Sequence, residues 1–290
     1  MMENLSPAFI GISVSVFGLL IGSFLNVVIY RVPKRESIVF PGSHCPACNA
    51  AIKPYDNIPV MSYAMLGGRC RSCKSGISPI YPAIELLVAV LYLGVFLRTI
   101  SLYPGMANQF WLNLVADLLF VSLIVPLVFI DLRYKLLPNV ITYPGLAMMI
   151  AMRALAPDPW LLARTPSLFA AGGQHDWVRA LVGAAIGAAA GGGSLWLVRE
   201  AYYRLRGVEG MGLGDIKMML MVGAFLGWQL TMLTIFFASL LGSVVGILLI
   251  SIRGGNMKME IPFGVFLGPS AILALFAGQG LIDWYLKMLV

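Results

Sequence analysis

Apolar runs of membrane-crossing length recur along this chain and leave it few ways to fold. A bilayer core takes about 20 predominantly apolar residues per helical crossing. Such runs occupy residues 7–30, 82–101, 110–130, 139–156, 178–198, 216–228, 231–252 and 261–282. The pattern predicts an all-α polytopic membrane protein with about eight transmembrane helices, of which the sixth, at 216–228, is the shortest. One polar stretch, 31–80, interrupts it between the first two. Charged residues make up 11% of the 290 positions and hydrophobic ones 59%, against about 25% charged in soluble domains. Disorder, a disulfide-rich secreted module and a single-anchor protein are excluded. The first run is too long for a signal-peptide core and has neither a basic leader nor a small-residue cleavage site, so it is read as a retained helix.

The net charge of +7 could indicate a nucleic-acid partner, but its placement argues otherwise. With the N-terminus outside, fifteen Lys and Arg fall on the inner loops and five, Arg98, Arg153, Arg164, Arg179 and Lys287, on the outer side. That asymmetry is the positive-inside signature and places the polar stretch in the cytoplasm. No basic, aromatic-rich face is gathered in one region, so no nucleic acid is expected. The expected organisation is a first transmembrane helix at 1–30, a cytoplasmic lobe at 31–80 and a multi-span domain at 81–290. Gly183, Gly187, Gly191, Gly192 and Gly193, with Gly242 and Gly246 further on, are read as small residues that let helices pack closely.

All four cysteines lie in the polar stretch, as Cys45-Pro-Ala-Cys48 and Cys70-Arg-Ser-Cys73, with 21 residues between the pairs. Two such pairs match a zinc ribbon, in which each forms a knuckle and the four thiolates complete a tetrahedron. Two disulfides suit a reducing compartment poorly, and no βαβ pattern supports a thioredoxin-like motif. Four thiolates leave no open coordination position, so the metal is expected to be structural, stapling a lobe too small to build much core. His44 is read as an ordinary loop histidine.

Acids within or beside the spans are costly and therefore functional candidates: Glu85, Asp117, Asp131, Asp215, Glu260 and Asp283. Glu260 and Asp283 are read as solvated boundary residues and Glu85 as paired with a loop cation. Asp131 ends the third span and Asp215 opens the sixth, within Gly210-Met-Gly212-Leu-Gly214-Asp215-Ile-Lys217. One span runs inward and the other outward, so both carboxylates reach the cytoplasmic face at similar depth. Close carboxylates at a low-dielectric edge share a proton, which is the arrangement of an aspartic peptidase. The glycines before Asp215 are expected to let a substrate strand approach its backbone.

These residues resemble the type IV prepilin peptidases, the GxGD-type intramembrane aspartic peptidases also called leader peptidase/N-methyltransferases. The resemblance covers nearly the whole chain. It includes Gly22-Ser-Phe-Leu-Asn26 with Tyr30-Arg31, both cysteine pairs, Asp56-Asn-Ile-Pro59, Ser62-Tyr63, Tyr81-Pro82 with Glu85-Leu86, the Asp131 segment through Pro138, Gly212-x-Gly214-Asp215-x-Lys217 and Pro262-Phe-Gly264. Val265 departs from it, since many relatives have proline there. The resemblance implies a multi-pass enzyme of the bacterial inner membrane with its active site facing the cytoplasm. Such enzymes cut basic leaders from type IV prepilins and type II secretion pseudopilins after a glycine. They then methylate the new N-terminal residue, usually Phe, from S-adenosylmethionine. It also implies that Asp131 and Asp215 are catalytic and that Cys45, Cys48, Cys70 and Cys73 bind zinc. Lys217 or Glu209 could contact the leader. Methyl-donor residues and oligomeric state are not legible. A peptidase without methyltransferase activity is one alternative and a zinc-regulated membrane transporter another, although transporters hold their coupling acids near the midplane.

Overall fold

The computed structural model describes residues 6–104, 108–163, 175–208, 210–253 and 261–289. Arg164, Glu209, Lys258 and Glu260 lie outside the described residues. The chain divides into two compact units, Met1–Ala107 and Asn108–Val290.

In the first unit α1 (Pro7–Arg31) pairs with α3 (Ile80–Leu102). Ser6 caps α1 by accepting the Phe9 amide at 3.3 Å, with Pro7 in the first turn, where its missing N–H costs nothing. The pairing depends on absent side chains. A Cβ on Gly18 would lie 2.8 Å from the Ala89 Cα, and one on Gly22 would lie 2.7 Å from the Glu85 Cα. The lobe between these helices holds α2 (Met61–Met65), two short 3-10 turns and two isolated β-bridges, His44 to Ala51 and Arg69 to Gly76.

The second unit contains α4 (Asn108–Tyr134), α5 (Asn139–Leu155), α6 (Pro159–Ala163), α7 (Asp176–Arg206), α8 (Leu213–Arg253) and α9 (Gly264–Leu289). Helices α5, α7 and α9 pack on α8, and α4 packs on α9. The expected close packing is realised against α8 at Gly187, Gly191 and Gly192, where side chains added at Gly187 or at its α8 neighbour Gly223 would strike the other helix's backbone, but among the described residues Gly193 and Gly246 have no atom within 4 Å of an added Cβ. Six of the described helices, α1, α3, α4, α7, α8 and α9, are long and apolar enough to cross a membrane. The eight runs of the sequence differ from these six in two places. α5 has 17 residues, about 26 Å of helix, and falls short of a full core of about 30 Å. The sixth and seventh runs are two helices joined without a loop at Gly227 (φ 75°, ψ 169°) and labelled together as α8, the joint having a conformation open essentially to glycine alone.

Burial falls along α8 past the interruption. Met218, Met219, Met221, Val222 and Phe225 before it are fully buried, as are Thr231, Thr234 and Ala238 after it, whereas Phe236, Ile247 and Ile252 are 60%, 66% and 74% exposed. A helix broken in an apolar interior leaves carbonyls without partners. Here the buried Arg153 donates from Nε to the Phe225 carbonyl at 2.5 Å and lies 4.0 Å over the Phe225 ring. Thr231 Oγ1 donates to the Gly227 carbonyl at 2.6 Å. Arg153, counted from the sequence as an outer-side cation, is therefore an interior residue of α5 that closes the break, 5% exposed. It contributes nothing to a surface charge count.

Candidate functional site

The second unit brings two carboxylates together through three helix ends. Asp131 lies in the last turn of α4, where the Lys135 amide donates to the Asp131 carbonyl at 2.8 Å and Lys135 turns the chain at φ 51°. Asp215 lies in the first turn of α8. Both are buried, at 5% and 8% exposure, and their charges interact directly. The third end is the start of α9. The Gly264 amide faces both carboxyl groups and the Val265 amide faces Asp131 alone, while Asp131 Oδ2 closes no hydrogen bond among the described residues. A helix N-terminus presents unpaired amides and positive partial charge, which suits it to stand beside two acids.

Gly264 was legible in the sequence only as part of a motif; its work is steric. A Cβ there would lie 2.6 Å from Asp131 Oδ2 and 3.2 Å from Cγ, so only glycine lets the α9 backbone reach the carboxylate. The glycines before Asp215 divide differently from the expectation. Beside Gly214 the space is already taken by Leu137, whose Cβ is 2.9 Å from where a methyl would stand. Leu137 is buried, and its Cδ1 would lie 3.3 Å from a Cβ added at Gly264, so it forms an apolar wall between α8 and α9. Gly212 is the open position, with Asp215 Oδ2 at 3.6 Å the nearest atom. Lys217 donates to Asn139 Oδ1 at 2.9 Å, with its Nζ 5.2 Å from the Tyr143 ring. It thereby ties the start of α8 to the start of α5.

In the first unit the four cysteines converge, with all their sulfurs within 4.8 Å of one another. The Cys45 and Cys73 Sγ atoms are 3.9 Å apart, close to the roughly 3.8 Å edge of a tetrahedron with metal–sulfur bonds of about 2.3 Å. The two knuckles repeat one design. The Cys45 amide donates to the Ala50 carbonyl at 2.9 Å and the Cys70 amide to the Ser75 carbonyl at 2.8 Å. Asn49 and Lys74 follow their cysteines with φ of 56° and 60°. Amide hydrogen bonds from Ala47 and Cys48 hold the Cys45 thiol down to about 6, which favours the thiolate that a metal needs. The Ala50 amide favours the Cys48 thiolate too, but the crowding sulfurs of Cys73, Cys45 and Cys70 and burial outweigh it, and Cys48 is pushed up to about 11. A cation at the centre would relieve that crowding. The four thiols can thus hold a metal ion. His44 instead places Nδ1 3.1 Å from the Gly42 carbonyl.

Two of the remaining acids have structural partners. Among the described residues Glu85 is paired with no loop cation: its Oε2 accepts the Val60 amide at 2.8 Å and its carboxylate also accepts from Ser23. Val60 has φ 60°, unusual for a β-branched residue, and this charge-assisted bond helps hold it there. Asp283 accepts Trp160 Nε1 at 3.3 Å, which gives a boundary residue a defined partner. Asp117 is buried within α4, at 3% exposure.

The fold and the paired acids define a class: a polytopic helical membrane protein with two carboxylates gathered at helix ends. Residues 16–99 match the bacterial peptidase A24 N-terminal domain and residues 118–247 the type IV leader peptidase family. A prepilin leader peptidase/N-methyltransferase of Aeromonas salmonicida is 36% identical over 302 residues, covering 96% of this chain and 94% of that protein. Those so named in Aeromonas hydrophila (37%; 94% and 92% covered) and Pseudomonas aeruginosa (35%; 93% and 91% covered) are similar throughout. No solved structure is a significant match. The chain belongs to the type IV leader peptidase family.

Proposed function

We propose that this chain removes the leader from type IV prepilins and type II pseudopilins at the cytoplasmic face of the bacterial inner membrane, with Asp131 and Asp215 as its catalytic pair. The supporting observation is the meeting of these two carboxylates, one ending α4 and one opening α8, at the Gly264 amide. One carboxylate, ionised, takes a proton from a water whose oxygen attacks the scissile carbonyl carbon. The other, protonated, donates to the carbonyl oxygen. Collapse of the tetrahedral intermediate breaks the C–N bond, and a proton passes to the departing nitrogen. A leader carboxylate and a free amine result. The buried Leu137 beside the pair keeps that side of the site apolar. The excess of Lys and Arg on one set of loops supports the cytoplasmic orientation.

The relatives' name supports a second step, N-methylation of the new amine. S-adenosylmethionine, when bound, would supply the electrophilic methyl group; no side chains are assigned to it. Zinc is the ion proposed for Cys45, Cys48, Cys70 and Cys73, because four thiolates at tetrahedral spacing suit it and close its coordination shell.

Purified full-length protein in nanodiscs, given a prepilin with its leader, tests the pair. Asp131→Asn and Asp215→Asn each remove an acid or base, and each is expected to slow cleavage by about 10²–10⁴-fold. Wild-type rates from either variant would refute the mechanism. Mass spectrometry of the released pilin separates the readings further: one added methyl group supports the bifunctional enzyme, and its absence despite complete cleavage and added donor supports a peptidase alone.

A further inference from the structure

The loop that leaves α1 is built to hold an apolar tip outward. Arg31, in the last turn of α1 and only 7% exposed, spends its guanidinium on the loop's two ends. Nη1 donates to the Ser37 carbonyl at 2.9 Å and Nη2 to the Gly42 carbonyl at 3.3 Å. Ser37 Oγ in turn accepts the amides of Val39 and Phe40, each at 3.2 Å. A buried arginine and a serine turn thus fix a short hairpin to the end of a helix. The residues it carries at the tip are Ile38, Val39 and Phe40, with 40%, 65% and 77% exposure. Exposing apolar side chains at a rigidly tied tip is unfavourable in water.

The position of the tip identifies its partner. Helix α1 has 25 residues, about 38 Å of length, against a hydrocarbon core of about 30 Å. Its Arg31 end therefore stands at headgroup depth, and a hairpin tied to that end lies at the same depth. Helix α1 itself carries an exposed apolar stripe, Ile12, Val16, Leu20 and Phe24 at 47–65% exposure, as a helix beside lipid does. Lys34 and Arg35 beside the hairpin outnumber Glu36, and Lys34 Nζ lies 3.5 Å over the Tyr30 ring, leaving the flank basic as an anionic bilayer surface requires. We propose that the Arg31-tied hairpin is an interfacial anchor: Val39 and Phe40 insert among the acyl chains just below the headgroups and hold the cysteine lobe against the membrane.

The test places a photoreactive p-benzoylphenylalanine at position 40 of the full-length protein, reconstituted in nanodiscs of phosphatidylethanolamine and phosphatidylglycerol. The same label at the lipid-facing position 24 serves as a positive control. Irradiation is expected to give phospholipid adducts at position 40 several-fold above the unirradiated sample. With Arg31→Lys, which cannot present the same fork to both carbonyls, the yield at 40 should fall several-fold while that at 24 is unchanged and the far-ultraviolet circular dichroism retains its helical signal. Adducts to a peptide of this chain, whether from the same molecule or a second copy, would overturn the anchor. So would the absence of lipid adducts at 40 when they form at 24, or a yield at 40 indifferent to Arg31→Lys in folded protein.

Discussion

The cysteine cluster and the aspartate pair differ in how much chain each must recruit. The cysteines come from two local knuckles with matching backbone bonds inside one lobe. The aspartates belong to helices whose sequence positions are 84 apart, and they meet over the amide of a third helix. A knuckle is fixed by the chain immediately around it, so its spacing announces it. A pair of acids on separate helices exists only where the bundle puts it, and small packing errors move it. The metal site should therefore fail as a unit and the acid site by displacement.

Removing the zinc proposed for the four thiols should have the largest effect, since in zinc-finger peptides structural zinc contributes on the order of 10–16 kcal/mol of apparent binding energy that is also folding energy. Hydrogen exchange on chelator-treated protein is expected to show lost protection through residues 43–78 with α4–α9 unchanged. Equal loss in both units would break the contrast between local and assembled sites. Next comes Gly264→Ala, which keeps the amide but drives a methyl against Asp131 Oδ2. Displacement by about 1 Å can cost on the order of 10²-fold, so kcat for leader cleavage should fall by about that factor with little change in KM. Val265→Pro removes only the amide that faces Asp131 alone and should be milder.

A smaller effect is expected at the break in α8. Gly227→Ala places a Cβ at φ 75° and 2.8 Å from the Leu161 side chain, at a conformational cost of about 1–3 kcal/mol, readable as a lower thermal midpoint. The smallest concerns Arg71, which grips Asp56 with bonds of 2.6 to 3.1 Å. The hydrogen bond from that guanidinium holds the Asp56 carboxyl below its ordinary 3.8. A lowered carboxylate value means the contribution is present above about pH 4 and is lost as pH falls through the folded value. Exposed pairs contribute little. Arg71→Gln should hardly change the lobe's stability at pH 7, and the difference from wild type should vanish in acid.

Much of this was legible in residues alone. The helical membrane character followed from run lengths, and the cysteine cluster from spacing. What reading the chain could not supply was the side of each residue that meets a neighbour. Gly212 and Gly214 look equivalent on paper, yet Leu137 fills one position and leaves the other open. Arg153 counted as a surface cation because its sequence neighbours are apolar and a loop follows; the broken carbonyls of α8 that it serves lie 72 residues away in sequence. Glu85 invited a cationic partner and found an amide. Runs six and seven were separated on hydropathy, but only backbone angles show that a glycine, not a loop, divides them.

Composition and periodicity by themselves determined that this chain crosses a membrane repeatedly and carries a four-thiol cluster, because both depend on interactions within a few residues or a few turns. The tertiary structure alone decided that the start of α9 faces both Asp131 and Asp215, and that Arg31 ties an apolar hairpin to the end of α1. Those contacts join groups whose meeting depends on how the chain folds back on itself, and no local pattern encodes it.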